Sequence, residues 1–485
     1  MLNFKYILRT LSILLLTIAG VMLIPLSLTF YYKETHLLMS FISPIVSILL
    51  FSLLIFTFTK KNPSQQFSTR DAFLLVTLSW IFAAFFGALP FYISGHIPSF
   101  TNAYFETMSG FTTTGASILT NIEAMPMSLL FWRSLTHWLG GMGIVVLLVA
   151  IMQSLGTGGL RLLQAESPGP TIDKVTPRIT QMAKILWMVY VGLSILEIIL
   201  LLIGGMNLFD ASTHTFGTMA TGGFSPKGKS VGYYNSPFIH YVITIFMILA
   251  GMNFVLFFGL LTGKIKEVWK NTELKVYLWI FFLATGIVTL SLYGKVFPSI
   301  SKSIQFASFQ VASILTTTGF ATTDFAQWPA MAKSVLFILM FIGGCAGSTG
   351  GGIKVIRFIT LFKLGINQMK YFLHPRGVFN IRIDGKIIKK DVVYVVAGFF
   401  FLYIIFLLVV TLVVASGGYD IVTSFSSALA TLGNIGPGFG KIGPALNYAF
   451  YPAYIKWVLS FAMMAGRLEI LTVLVVFTPL FWKIR

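Results

Sequence analysis

The sequence predicts an all-α membrane protein in which four units of span, pore helix and span surround one pseudo-fourfold pore, preceded by two extra N-terminal spans. Three observations support this: the composition, ten long apolar segments, and a glycine-ended polar motif that occurs four times. Hydrophobic residues make up 56% of the 485 residues and charged residues only 10%, whereas soluble domains contain about 25% charged residues. Such a chain cannot build a water-exposed surface, and a membrane protein follows.

The charge and the cysteine count exclude other classes. A formal net charge of +19 would suggest a nucleic-acid partner for a soluble protein, but in a membrane protein it indicates cytoplasmic loops rich in Lys and Arg. The single cysteine, Cys345, excludes an internal disulfide and a cysteine-based metal cluster.

Ten apolar segments are long enough to cross a bilayer, whose core of about 30 Å needs roughly 20 apolar residues per helix. The eighth is interrupted by glycines. We place the spans near 11–31, 37–58, 72–94, 128–153, 184–206, 238–262, 276–294, 333–362, 392–416 and 456–482.

Basic residues predict the orientation, because Lys and Arg collect in cytoplasmic loops. An even number of spans with both termini in the cytoplasm puts most of them on that side. The exceptions are Lys33, Lys227, Lys229, Lys295 and Lys302. The residues assigned to the cytoplasm are Lys5, Arg9, Lys60, Lys61, Arg70, Arg161, Lys174, Arg178, Lys264, Lys266, Lys270, Lys275, Arg376, Arg382, Lys386, Lys389, Lys390, Lys483 and Arg485.

A short polar motif ending in glycine occurs once in each of four outward loops. The final glycines stand at positions 115, 222, 319 and 436, which are 107, 97 and 117 residues apart. A period of about 100 residues is longer than a solenoid repeat and suits a unit of span, re-entrant segment and span. The copies read FETMSGFTTTG, FGTMATG, ASILTTTG and ALATLGNIG.

Each copy is too short to span the bilayer and is predicted to form a half-helix that enters from outside and stops mid-membrane. Asp210 and Asp420 stand near the starts of two of them, where a carboxylate can cap the first amides. Non-helical backbone at this depth must be buried in protein or line water. Four such ends around an axis can replace the hydration shell of a monovalent cation with carbonyl oxygens. The alternative is four polar loops with glycine turns and no pore.

The chain divides into five segments on this interpretation. Residues 1–65 form a two-span N-terminal segment. The four pore repeats follow at 66–160, 175–268, 272–372 (which contains the glycine-rich intramembrane loop) and 385–485.

These motifs resemble the Trk/Ktr/HKT superfamily of potassium transporters over essentially the whole chain, and the two-span N-terminal addition resembles its TrkH branch. The segments that carry the resemblance are TTTGA from Thr112, ATGGFS from Ala220, TTTGF from Thr316, NIGPG from Asn434, GGCAGSTGGGIK from Gly343 and GRLE from Gly466.

The resemblance implies potassium uptake across the bacterial inner membrane by a non-enzymatic protein that carries no organic cofactor. It also implies a homodimer with one pore per subunit and a cytosolic nucleotide-binding gating partner of the TrkA type. Backbone carbonyls of a filter would bind the potassium ion. The filter positions carried over are Thr113, Thr114, Gly115, Ala220, Thr221, Gly222, Thr317, Thr318, Gly319, Asn434, Ile435 and Gly436.

The glycines of the eighth span predict a gate. Each glycine costs a helix about 1 kcal/mol relative to alanine, so a straight helix is not expected, and broken helices mark transport sites. We predict a loop that obstructs the pore just cytoplasmic of the filter; the alternative is a close helix crossing through small residues. A phosphate-binding loop is disfavoured, because Val355 stands where Ser or Thr would follow Lys354. The gate positions are Gly343, Gly344, Gly347, Ser348, Thr349, Gly350, Gly351 and Gly352.

Arg467 lies inside the last span, where an arginine is costly and usually faces a cavity or a partner. We predict that it sits below the filter near the glycine loop, as an electrostatic barrier, as a buried partner of Glu469 or of loop carbonyls, or as both. Glu106 in the first half-helix is expected either to accept hydrogen bonds from filter amides or to cap locally. His137 is interpreted as a packing residue.

Two other functions, and the role of one basic segment, are also considered. A proton- or sodium-coupled potassium symporter with alternating access would need an ionisable relay near the membrane midplane. Glu197 and Asp391 are poorly placed for one, whereas Arg467 and Glu469 leave some room for it. A membrane enzyme would need clustered catalytic residues, and the 15 acidic residues and 6 histidines are scattered. The basic segment Lys363–Lys390 either docks a cytosolic partner or attracts inner-leaflet lipid.

Overall fold

The computed structural model describes residues 2–59, 68–155 and 179–483, and these residues are almost entirely helical. Within them, six helices are long and apolar enough to cross a membrane, and up to eight spans result if each of two sharply bent helix pairs counts as one. The all-α prediction is confirmed. The predicted cytoplasmic residues Lys60, Lys61, Arg161, Lys174, Arg178 and Arg485, and the segment boundaries at 65/66, 160 and 175, lie outside the described residues.

Two N-terminal helices precede the repeats. Helix α1 (Phe4–Tyr31) packs against α2 (Leu38–Phe58) and against α3 (Thr69–Ile93), the first span of the first repeat. A capping box of Ser68 and Asp71 starts α3, and the Asp71 carboxylate also accepts the Asn3 amide at 2.8 Å. Arg70 donates to the Lys483 carbonyl oxygen at 2.9 Å. Both described chain ends therefore lie at the same face, which we call the terminal face.

Each repeat consists of a first span, a half-helix and a second span. The half-helices begin at the opposite face, which we call the half-helix face. Repeat 1 contains α3, α4 (Phe100–Phe111) and α5 (Met127–Leu155); repeat 2 contains α6 (Ile179–Ile203), α7 (Leu208–Met219), α8 (Pro237–Ala250) and α9 (Phe254–Leu261). After the short α10 (Ile265–Lys270), repeat 3 contains α11 (Thr272–Leu292), α12 (Ile300–Leu315), α13 (Ala330–Leu339) and α14 (Val355–Leu373). Repeat 4 contains α15 (Lys390–Ala415), α16 (Ile421–Leu432), α17 (Ala453–Arg467) and α18 (Ile470–Val476), followed by α19 (Pro479–Trp482).

A small antiparallel hairpin precedes repeat 4. Its strands, β1 (Arg382–Ile383) and β2 (Lys386–Ile387), are joined by Asp384 and Gly385. Both turn residues have positive φ, 50° and 76°, as a two-residue type I′ turn requires.

Three second spans are broken, although glycines predict a break only in the eighth span. That span runs as helix to Leu339 and resumes at Val355, with a non-helical segment between. The sixth span bends by 97° between α8 and α9, where Asn253 caps the new helix by accepting the Val255 amide. The last span bends by 117° between α17 and α18, where Glu469 has a φ of 64°.

The repeats close into a ring. Helix α7 packs on α5, α12 packs on α8, and α4 packs on α17, so each of these half-helices lies against the second span of the preceding repeat. The half-helix α16 follows the same rule, because the Phe425 ring contacts the rings of Phe337 and Phe341 at centroid distances of 6.0 and 6.2 Å. The four half-helices therefore share a central axis.

Candidate ion pathway

All four half-helices end in the same backbone geometry. In the first, the Thr113 amide donates to the Gly110 carbonyl and the Thr114 amide donates to the Ser109 carbonyl, and Thr113 is left-handed with a φ of 54°. This is the Schellman motif, which normally places glycine at the left-handed position. The other repeats have Thr221, Thr317 and Asn434 there, with φ between 53° and 60°.

A left-handed threonine is strained, because its branched Cβ crowds the backbone. Such strain costs about 1–3 kcal/mol per residue and persists only where the surroundings hold it, typically at functional sites. Three threonines carry it at matching positions here. The strain at three of the four half-helix ends therefore indicates a functional site rather than ordinary turns.

A glycine with positive φ follows two residues later in every repeat, and these glycines fit one repeat against the next. A Cβ atom on Gly115 would lie 2.3 Å from the Gly222 carbonyl oxygen, and one on Gly223 would lie 2.0 Å from the Thr318 oxygen. The same contact joins Gly319 to the Ile435 oxygen at 2.0 Å, and it joins Gly436 to the Thr114 oxygen at 2.6 Å. The four contacts form a closed circle, which we call the glycine ring.

The glycine ring shows that the second repeat must be aligned with the other three one residue further along than the sequence motif indicates. The sequence pattern pairs Gly222 with the other three glycines, but the positive φ of 78° belongs to Gly223. The Gly222 carbonyl oxygen corresponds instead to those of Thr114, Thr318 and Ile435. The matching four-residue sets are therefore 112–115, 220–223, 316–319 and 433–436.

The predicted filter residues all lie at this ring, and all are buried except Gly115 and Gly319, which are partly exposed. Their side chains are held in different ways. Asn434 Nδ2 donates to Thr114 Oγ1 and to the Met463 carbonyl, both at 2.9 Å. Thr221 Oγ1 donates to the Ala220 carbonyl at 2.6 Å. Among the described residues, Thr113 Oγ1 is buried without a hydrogen-bond partner.

Carbonyl and hydroxyl oxygens dominate the ring. The described residues contain no group of three or more His, Cys, Asp or Glu side chains placed to hold a metal ion. The four matching carbonyl oxygens and the threonine hydroxyls are uncharged ligand atoms. Such oxygens suit a weakly hydrated monovalent cation that must bind and leave again.

A buried polar side chain stands nine residues before the ring glycine in each repeat, a feature that the sequence analysis missed. Glu106 accepts the Ile118 amide at 2.8 Å, His214 Nε2 lies 3.0 Å from Ser225 Oγ, and Gln310 lies 3.4 Å from the Phe320 carbonyl. Each ties its half-helix to the chain just beyond the ring glycine. Glu106 thus holds the segment after the ring. In repeat 4 the matching Ser427 bonds Tyr451 instead.

Arg133 joins the first two repeats, and sequence reasoning missed it as well. Its Nε lies 2.6 Å from Glu106 Oε1, its Nη1 donates to the Ser225 carbonyl at 3.1 Å, and its guanidinium lies 3.5 Å from the centre of the Phe224 ring. The test applied to Arg467, an arginine inside an apolar span, would have found it. His137 packs as predicted, stacked on Phe224 with its Nδ1 2.7 Å from the Gly110 carbonyl.

Replacing Glu106 by glutamine is expected to destabilise the protein. The substitution leaves the buried Arg133 without its counter-charge, and breaking such a pair costs about 3–5 kcal/mol. Thermal unfolding of the purified protein should show a markedly lower Tm than the wild type. The exposed Glu123, which accepts the Gly228 amide at 2.6 Å, offers a control, since Glu123→Gln should stay within about 0.5 kcal/mol. Equal melting temperatures for both variants would contradict the structural role of the pair.

The glycine-rich segment lies directly against the ends of the half-helices. The Gly351 amide donates to Thr317 Oγ1 at 2.6 Å, and Thr349 Oγ1 lies 3.0 Å from the Met219 carbonyl. A Cβ atom on Gly351 would lie 2.5 Å from the Gly433 carbonyl oxygen. The segment therefore touches the ends of three half-helices, on the side where their C-termini point. We call residues 340–354 the intramembrane loop.

Arg467 fastens the intramembrane loop to the first repeat. Its Nη1 donates to the Thr349 carbonyl, and its Nη2 donates to the Gly140 carbonyl at 3.1 Å. The Gly140 position adjoins the first half-helix, since a Cβ atom there would lie 1.9 Å from the Phe111 carbonyl oxygen. Arg467 is 5% exposed, so its charge is held next to the loop and below the ring.

The expected pairing of Arg467 with Glu469 is wrong, and that with loop carbonyls is right. The Glu469 carboxylate forms its ion pair with Arg357, whose guanidinium also lies 3.9 Å from the centre of the Phe399 ring.

The prediction that Asp210 and Asp420 cap the half-helices is half right. Asp420 caps α16 by accepting the Thr423 amide at 3.0 Å. Asn207, not Asp210, caps α7, and Asp210 accepts the Tyr234 hydroxyl at 2.6 Å.

The chain is similar in sequence and in structure to known transport proteins. The TrkH family, described as a cation transport protein family, matches residues 38–484. The Trk system potassium uptake protein TrkH of Escherichia coli (strain K12) is 39% identical over 486 residues, covering 99% of this chain and 100% of that protein. The TrkH protein of Vibrio parahaemolyticus serotype O3:K6 is 38% identical over 492 residues, covering 99% and 100%. The crystal structure of the potassium transporter TrkH from Vibrio parahaemolyticus matches with a TM-score of 0.90 and 36% identity, covering 99% of this chain and 100% of that one.

Proposed function

Because this chain belongs to the TrkH family of cation transport proteins, we propose that it carries potassium ions into the cell through the centre of the glycine ring. Its relatives are named potassium uptake proteins. The observation that carries the proposal is the closed circle of contacts in the glycine ring. Each ring glycine lies against a carbonyl oxygen of the next repeat, and that oxygen belongs to the residue just before the next ring glycine. A cation on the axis of that circle meets four equivalent oxygens.

The filter works by exchanging hydration water for fixed oxygens. The carbonyls of Thr114, Gly222, Thr318 and Ile435 form one layer of ligands, and the residues before them, Thr113, Thr221, Thr317 and Asn434, supply the next. The C-terminal ends of the half-helices add negative potential below the ring. The contacts between neighbouring repeats hold the strained threonines and their oxygens in place, so the ring does not collapse when an ion leaves.

The intramembrane loop and Arg467 form the gate. The loop lies across the C-terminal ends of three half-helices, and Arg467 holds it there while placing a positive charge in the path of the ion. Conduction therefore requires the loop to move and the contact between Arg467 and Thr349 to break.

The terminal face is the cytoplasmic face of the bacterial inner membrane, and the chain acts as a homodimer with one pore per subunit. The orientation is supported by the basic residues exposed at that face, among them Arg382, Lys386, Lys389 and Lys390. A cytosolic nucleotide-binding subunit of the TrkA type binds there and controls the loop. The five-segment division of the chain, with two N-terminal spans and four pore repeats, describes the working unit.

Reversal potentials test potassium conduction against coupled symport. The purified protein is fused into planar bilayers with a potassium gradient, with and without a superimposed pH gradient or sodium gradient. We expect the reversal potential to follow the potassium gradient alone. A reversal potential that moves with the pH or sodium gradient at fixed potassium would instead favour the coupled symporter with alternating access.

A further inference from the structure

One buried carboxylate closes the second half of the intramembrane loop. Glu273 Oε1 accepts the Ala346 amide at 2.8 Å and the Ile356 amide at 3.0 Å. Ala346 lies in the middle of the loop, and Ile356 lies in the first turn of α14, the helix that follows it. One oxygen atom therefore holds together the two ends of the nine-residue segment 347–355.

Glu273 does not belong to the loop that it closes. It is the second residue of α11, the first span of repeat 3, and it is 6% exposed. Few bonds join the two arms of the loop to each other; the Gly343 amide donates to the Ile353 carbonyl at 2.8 Å, and the Val355 amide donates to the Gly344 carbonyl at 3.2 Å. Because a buried amide without an acceptor is costly, removing the carboxylate favours rearrangement at both ends of segment 347–355 at once.

The residue next to Glu273 is tied to the terminal face. The Thr272 amide donates to Asp384 Oδ1 at 2.7 Å, and Asp384 lies in the turn of the β1–β2 hairpin. The same hairpin is bonded to α14, because Lys363 Nζ donates to the Arg382 carbonyl at 2.6 Å. The hairpin thus contacts the helix that carries Glu273 and the helix that leaves the loop.

We propose that Glu273 is the latch that keeps the intramembrane loop folded under the ring, and that the bond between Asp384 and Thr272 transmits movement of the hairpin to it. The proposal rests on the proposed function of the loop as a gate. Glu273 is a positioning residue: it acts by holding two backbone amides and does not touch the ion. A force on the hairpin shifts the start of α11, withdraws the carboxylate and frees both ends of segment 347–355.

The chain contains its own probe for this movement. Cys345 is the only cysteine in the sequence, it precedes Ala346 directly, and it is 1% exposed. A small membrane-permeable maleimide should therefore label the wild-type protein slowly in proteoliposomes. In Glu273→Ala we expect the labelling rate to rise about tenfold, and the basal potassium flux to rise with it.

Three further variants isolate the latch. Glu273→Gln keeps an oxygen that accepts both amides, so labelling and flux should stay within about twofold of the wild type. Asp384→Ala should raise labelling about threefold, because the start of α11 loses its anchor to the hairpin and Glu273 is then held less firmly in place. Glu267→Ala changes an exposed glutamate of α10 whose neighbour is Lys264, and neither readout should change. If Glu273→Ala does not fold, Glu273→Asp replaces it, since the shorter side chain cannot reach both amides.

The outcomes separate the latch from the gate. Labelling of Cys345 at the wild-type rate in folded Glu273→Ala or Glu273→Asp would overturn the latch, even if other loop variants raise the flux. Faster labelling without faster flux would support the latch and overturn the role of the loop as a gate. A Glu273→Gln variant that behaves like Glu273→Ala would also overturn the latch, because the charge and not the two amide bonds would then matter.

Discussion

Replacing Arg467 by alanine is expected to raise potassium flux through the reconstituted protein by about tenfold or more. The substitution removes two contacts of the guanidinium, one to the Thr349 carbonyl of the intramembrane loop and one to the Gly140 carbonyl of α5. The loop loses its link to repeat 1, and the pathway loses a positive charge below the ring.

The charge alone accounts for an effect of this size. Two unit charges roughly 8 Å apart repel by about 2 kcal/mol at an effective dielectric constant of about 20, which is about thirtyfold in rate. The Arg357–Glu469 ion pair stays intact in this variant, because Glu469 does not bond Arg467. The gain in flux therefore reports on Arg467 and not on a general loss of packing at the terminal face.

Two variants serve as controls for Arg467→Ala. Arg467→Lys keeps the charge but cannot span both carbonyls, and its flux should fall between those of the wild type and the alanine variant. Lys456→Met removes another buried cation of α17, one that bonds Asn102 and the Ala449 carbonyl, both at 2.8 Å. Its flux should stay within about twofold of the wild type. Equal tracer rubidium uptake by Arg467→Ala and the wild type would remove Arg467 from the gate.

The half-helices could be predicted from the sequence because their signal is local. A short run of small and hydroxylated residues ending in glycine, repeated between apolar spans, specifies a helix that stops inside the membrane. The register of the second repeat could not be fixed in this way. Gly222 and Gly223 are adjacent, and only the backbone shows that Gly223 carries the positive φ and lies against the Thr318 carbonyl.

The bends in the sixth and last spans and the ion pair of Glu469 could not be predicted, because they depend on contacts between distant parts of the chain. Asn253 is a helix-capping residue, but neither it nor Glu469 stands in a cluster of glycines or prolines that would predict a sharp bend. The Gly251 carbonyl, for example, accepts the Cys345 amide at 2.8 Å. Likewise, Arg467 stands two residues from Glu469, yet Glu469 pairs with Arg357 from the third repeat. Sequence spacing gave the wrong partner because the helix breaks between the two residues.

Replacing Gly115 by serine is expected to lower potassium-over-sodium selectivity about tenfold, which corresponds to about 1.4 kcal/mol. The backbone at Gly115 has a φ of 79°, and a Cβ atom there would lie 2.3 Å from the Gly222 carbonyl oxygen. That distance is far inside van der Waals contact, so the oxygen must move. Since Gly222 supplies one of the four matching oxygens, the layer loses its symmetry and its fit to the larger ion.

Gly418→Ser is the control that separates displacement of the ring oxygen from the strain of placing a serine in left-handed backbone. Gly418 has a φ of 81° and nothing within 4 Å of its Cβ position, so serine there meets the same unfavourable conformation, worth about 1–2 kcal/mol, without touching a neighbour. Both variants should unfold at lower temperature, but only Gly115→Ser should change the permeability ratio measured from bi-ionic reversal potentials. A ratio equal to that of the wild type in folded Gly115→Ser would mean that the oxygens facing this glycine do not select the ion, and the filter would have to be sought elsewhere along the axis.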